Sequence, residues 1–168
     1  MQLSGKLFLE MTISAANLLD ARKEEINNLN VFPVPDGDTG VNMSMTIGGA
    51  RQVLLPADAT LSEAAEQVAN RFLRSARGNS GAILSLFFRG FSKAVRGLEC
   101  ADSEEIAMAF ARGRSEAYKA VMNPTEGTIL TVIRVCAERA DARRGQYEGN
   151  LPGFFDELTE EAKEALAK

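Results

Sequence analysis

Apolar residues recur every three or four positions along nearly the whole chain, and no stretch alternates apolar with polar residues as a half-buried strand does. Leu3, Leu7, Met11, Ala15 and Leu18, extended by Ile26 and Leu29, predict one long helix over residues 3–28, ended by Pro33 and Pro35. A second helix is predicted from Thr39 to about Leu55, with Val41, Met45 and Val53 among its apolar positions and Pro56 closing it. Thr60-Leu61-Ser62-Glu63 and Asp102-Ser103-Glu104-Glu105 read as capping boxes, in which the first side chain meets an N–H three residues on and the glutamate reaches back. They open a third helix through Val68 and Phe72 and a fifth through Ile106, Phe110 and Val121. A fourth starts near Ser80 and carries Leu84, Phe87, Phe91 and Val95. A sixth follows the break at residues 123–128, and a seventh runs from Pro152, a favoured first-turn residue, to the end. Residues 141–153 form the best candidate for a mobile loop. The expected fold is therefore all-α, seven helices in an antiparallel up-and-down bundle.

At 168 residues the chain fits one domain spanning its whole length. Its net charge of −4 provides no basic field for nucleic acid, so an anionic ligand has to be held locally, by a metal, by N–H groups or by a few cations. Cys100 and Cys136 lie far apart and lack metal-site spacing, which makes them two structural thiols in a reducing compartment. The longest apolar stretch, residues 81–88, is far short of the roughly 20 residues a membrane helix needs, so no membrane insertion and a cytoplasmic location are expected.

The polar motifs sit at three helix starts. Antiparallel neighbours place the starts of the second, fourth and sixth helices at one end of the bundle, and there fall Asp36-Gly37-Asp38-Thr39-Gly40, Asn79-Ser80-Gly81 and Glu126-Gly127-Thr128. A helix start exposes free N–H groups and carries about half a positive charge, so it can hold phosphate without lysine. The first loop adds two carboxylates, which cannot bind phosphate but can hold Mg²⁺ against it. A metal loop facing two phosphate loops has the composition of a nucleoside triphosphate site. Each loop taken alone also reads as an ordinary turn with a helix cap, and Met43 with Met45 as core rather than ligand contact. With no histidine in the chain and no base beside either cysteine, triad-type nucleophilic catalysis has no candidates. Arg77 and Arg89 are available to phosphate charge, though solvation is the ordinary state of a lone arginine.

Three blocks, residues 28–44 around Asp36 and Asp38, 76–91 around Ser80, and 117–132 around Thr128, resemble the nucleotide-binding domain of the dihydroxyacetone kinase family. The resemblance is to the branch containing the N-terminal domain of the nucleotide-binding component of bacterial fatty-acid kinase. It implies an eight-helix antiparallel barrel holding Mg-ATP or Mg-ADP at one end. Asp36 and Asp38 would ligate magnesium, with Asn30 at the position of a third ligand. Thr39 and Asn42 would approach the phosphates or the metal. Asn79, Ser80, Gly81 and Thr128 would line the nucleotide. The resemblance also implies a kinase whose acceptor is a fatty acid on a separate lipid-binding protein, reached through domains outside this chain. The alternatives are the nucleotide-binding component of a dihydroxyacetone-type kinase or a non-catalytic ADP-binding regulatory module. Because the family has a further, eighth helix, this chain is expected to be an N-terminal part of a longer protein. It should be inactive as a kinase alone, bind nucleotide weakly and expose apolar surface at an open seam.

Overall fold

A computed structural model describes residues 1–31 and 34–168. Among them are seven α-helices: α1 (Gly5–Leu29), α2 (Thr39–Ile47), α3 (Leu61–Ser75), α4 (Gly78–Ala94), α5 (Ser103–Lys119), α6 (Ile129–Arg143) and α7 (Leu151–Leu166). The all-α expectation holds. The part assigned to Pro33 in ending α1 lies outside the described residues. One exception to the helical pattern is a two-residue antiparallel ladder, β1 (Leu3–Ser4) with β2 (Cys100–Ala101), too short for alternation to reveal it.

Both capping boxes form. Thr60 accepts from Glu63 N at 3.1 Å while Thr60 N donates to Glu63, and Asp102 and Glu105 exchange the same pair of bonds. The second helix is shorter than expected. It ends at Ile47 and the chain tightens into a 3-10 turn over Gly48–Gln52 before Val53 becomes extended. Adjacent glycines each cost roughly 1 kcal/mol in an α-helix, and Gly49 is pressed against α3, where an added β-carbon would lie 3.0 Å from Ser75 Oγ. Helix α4 starts two residues earlier than expected, at Gly78. The segment expected to be a mobile loop is structured: α6 continues to Arg143, residues Arg144–Gln146 form a 3-10 turn, Ser103 Oγ donates to the Arg144 carbonyl, and Asn150 caps α7.

The main core gathers Phe8 and Ala16 of α1, Leu61, Val68 and Phe72 of α3, Phe91 of α4, Ile106 of α5 and Leu151, Phe154 and Leu158 of α7. A smaller cluster, Ile83, Phe87, Ala117, Leu130 and Ile133, joins the first half of α4 to the end of α5 and the first half of α6. Helices α4 and α5 pack closely where Gly90 faces Arg112 and Gly113 faces Phe87. Arg139 and Arg143 of α6 pair with Glu157 of α7, and Arg139 also with Glu161, which docks α7 on its neighbour. Large apolar side chains remain in solvent at Met11 and Leu18 of α1 and at Leu166 of α7. Met45, read as core from its spacing, is 52 % exposed, because α2 packs on α1 and α4 through Gly40, Ser44 and Thr46 instead.

Candidate functional site

The starts of α2 and α4 lie side by side and point the same way. Asn42, in the first turn of α2, leaves no room for a side chain at Gly78, where a β-carbon would fall 2.6 Å from Asn42 Nδ2; one turn later, Gly81 lies against Thr46. The start of α6 is tied to that of α4 through the apolar cluster of Ile83, Leu130 and Ile133. The three expected loops therefore share one end of the bundle, but their polar groups are differently committed.

In the first loop the two aspartates are exposed and their side chains make no hydrogen bond or ion pair among the described residues. Gly37 between them takes φ 67°, the left-handed region that costs a glycine little. Asp38 occupies the cap position of α2, yet its side chain accepts no helix N–H. An aspartate serving only as a cap would make that bond. The N–H groups behind it are instead taken by α1: Asn30 Oδ1 accepts from Thr39 N (3.2 Å) and Thr39 Oγ1 (2.6 Å), and Asn27 Oδ1 accepts from Val41 N (3.1 Å). Asn30 thus fastens the loop, and its Nδ2 donates to the Val34 carbonyl. Both lone pairs of its oxygen are occupied by Thr39, so as it stands Asn30 offers a metal nothing.

The second loop is open. Arg77 caps α4 without a side-chain bond, and no group from outside the helix accepts from the N–H groups of Gly78, Asn79, Ser80 or Gly81 among the described residues. The side chains of Asn79 and Ser80 are likewise uncommitted there, whereas Gly78 takes φ 66° to bring the chain into the helix. The third loop is spent on itself. Thr128 Oγ1 accepts from Leu130 N and donates to the Thr125 carbonyl, and Thr131 Oγ1 accepts from Gly127 N and donates to Glu126. Hydrogen bonds from Thr131 and Arg134 hold the Glu126 carboxyl below its ordinary range. Tyr118, whose hydroxyl donates to the Leu130 carbonyl, is shifted upward by burial. No hydrogen bond among the described residues joins the Thr128 loop to the other two.

For magnesium the fit rests on Asp36 and Asp38, two uncommitted carboxylates flanking a glycine, since Mg²⁺ needs only one or two carboxylates beside phosphate oxygens and water. No group of three or more acidic, histidine or cysteine side chains gathers among the described residues. Two hollows lie elsewhere, one of about 520 Å³ between α5 and α6 lined by Arg114, Tyr118 and Glu138, the other of about 300 Å³ beside Asp20, Ser44 and Arg51. Spacing could not foretell the roles of Asn27 and Asn30, because an asparagine late in a helix carries no mark of the N–H groups it will meet across a helix pair.

Residues 33–168 match the DAK2 domain. The protein YloV of Bacillus subtilis is 41 % identical over 165 residues, covering 98 % of this chain and 30 % of that protein. An uncharacterized protein of Staphylococcus saprophyticus is 44 % identical over 143 residues (83 % of this chain, 25 % of that one). One from Staphylococcus aureus strain USA300 is 43 % identical over 148 residues, 88 % of this chain and 27 % of its own length. The chain spans less than a third of each of these relatives, while the domain match takes in all three polar loops and every helix after α1. On these matches, the chain belongs to the DAK2 domain family.

Proposed function

We propose that this chain is the Mg-ATP-binding domain of a phosphotransferase. The DAK2 family supplies the nucleotide-binding module of dihydroxyacetone-kinase-like proteins. The observation that carries the reading is the pairing of two uncommitted carboxylates before α2 with the uncapped start of α4 beside it. In this reading Asp36 and Asp38 hold Mg²⁺, which when bound neutralises charge on the phosphates. The N–H groups of α4 from Gly78 to Gly81, with Ser80 Oγ and the Asn79 amide, hold phosphate oxygens in fixed positions. Asn42 and Thr39 border the loop between the two groups, and Thr128 lines the site from α6. Asn30 serves by holding Thr39 and the loop rather than by ligation.

Phosphoryl transfer asks little covalent chemistry of a protein beyond positioning and charge neutralisation. In this reading the acceptor is held by other parts of a longer protein, since the relatives are more than three times as long as this chain. The finer proposal is a fatty-acid kinase acting on a fatty acid carried by a separate lipid-binding protein, with the present chain as one domain of a longer one and inactive alone. A dihydroxyacetone-type acceptor is the neighbouring alternative. The same groups also suit a second reading, a regulatory module that holds ADP without turnover.

Calorimetric titration with Mg-ADP and Mg-ATP tests the binding reading. Magnesium-dependent heat in the chain, lost in Asp38→Ala, is expected; no such heat in the unaltered chain would sink both nucleotide readings. Transfer of labelled phosphate to a fatty acid in the longer protein, with its lipid-loaded partner, then separates kinase from sensor.

A further inference from the structure

Among the described residues, Thr46 is the side chain that bonds to both halves of the proposed site. It lies in the last turn of α2 and is fully buried. Its hydroxyl donates to the Asn42 carbonyl at 2.7 Å and accepts from Arg77 N at 3.2 Å. Its Oγ1 also fills the space a side chain at Gly81 would need. Arg77 N is the amide immediately before the open N–H groups of α4, and Asn42 is the residue packed on Gly78. A serine or threonine hydroxyl bonded back to its own helix four residues earlier is common, but here its remaining lone pair takes an amide from another element. That amide would otherwise be a partly buried donor without an acceptor.

We infer that Thr46 is a positioning residue, whose hydroxyl sets the α4 phosphate-binding turn in register with the carboxylate loop before α2. The inference rests on the nucleotide reading above. Asp38 lies on one rigid body with Thr46, because Asn42 N donates to the Asp38 carbonyl and the helix continues unbroken to Ile47. The α4 turn has no side-chain cap of its own, so the Thr46 bond to Arg77 is the polar contact that fixes where its N–H groups point. Thr46→Val keeps the shape and the buried methyl but removes both hydrogen bonds, whereas Thr46→Ser keeps both and removes the methyl.

The test measures Mg-ADP affinity by calorimetry for the 168-residue chain, Thr46→Val and Thr46→Ser, with circular dichroism to establish folding. Thr46→Val is expected to bind about tenfold more weakly with Thr46→Ser restoring most of the affinity, a recovery that a purely space-filling role would not give. Equal affinity of folded Thr46→Val and the unaltered chain would overturn this inference and leave the nucleotide reading standing. Absence of binding by the unaltered chain would overturn both. Should Thr46→Val not fold, amide hydrogen exchange of the unaltered chain decides: Arg77 N–H protected without ligand, with Asn79 and Ser80 protected only when Mg-ADP is added, is expected. Free exchange at Arg77 in the ligand-free chain would overturn the assignment.

Discussion

Asp38 and Thr60 stand at the same place in their helices, yet only Thr60 bonds the turn that follows. Thr60→Ala should therefore cost about 1 kcal/mol of stability in urea titrations, while Asp38→Ala leaves stability within about 0.5 kcal/mol and abolishes magnesium-dependent nucleotide heat. A second contrast lies in the thiols. Burial pushes Cys136 up to about 11, and its Sγ sits 3.7 Å from the Leu158 carbonyl, whereas Cys100 is half-buried at the ladder beside Gln2. At pH 8 iodoacetamide should label Cys100 and spare Cys136 until the chain is denatured, read by mass spectrometry of peptides. The raised thiol also sets a sign: its contribution to stability is complete below pH 9, the unfolded value, and is lost as pH climbs toward 11. The pair of exposed carboxylates before α2 was legible because Asp-Gly-Asp is a local pattern. The commitment of Asn30 to Thr39 was not, since it depends on how α1 and α2 lie against each other.

Helix caps were the most readable features at the next scale, and both predicted boxes closed because all four groups of each lie within four residues. Glycines were the least readable. Gly90 and Gly113 look like defects in α4 and α5, where alanine would gain up to roughly 1 kcal/mol by propensity. Added β-carbons, however, would lie 2.5 Å from the Arg112 carbonyl and 2.6 Å from the Phe87 ring. Gly90→Ala and Gly113→Ala should each destabilise by about 1–3 kcal/mol, measured by denaturant unfolding, because the helices have to separate. The same blindness shortened α2: Gly48-Gly49 gave a local warning, but only the packing on Arg71 and Ser75 turns that warning into a 3-10 turn.

For the molecule as a whole, ligand and fold are linked. If Mg-ADP binds only the folded chain, a hundredfold excess over Kd adds about 2.7 kcal/mol, or roughly 5 to 10 °C in Tm for a chain of this size, and ADP with chelator adds less. Scanning calorimetry reads this, and no magnesium-dependent shift would count against the proposed site. The all-α class and helix order were visible in the 3.6-residue period, and antiparallel connection put the three polar loops at one end, whereas the direct packing of the first two, Asn42 against Gly78, came only from the tertiary structure. One long-range tie had no trace in the pattern, the ladder pairing Leu3 and Ser4 with Ala101 and Cys100. Its consequence belongs to synthesis. A ribosome releases the N-terminal strand first, and that strand waits for its mate until Ala101 has left the exit tunnel. Helix α1 can meet α2 and α3 well before then, but it cannot be latched at its beginning, so a chaperone that holds early chains should contact residues 1–4 until the middle of the protein has been made.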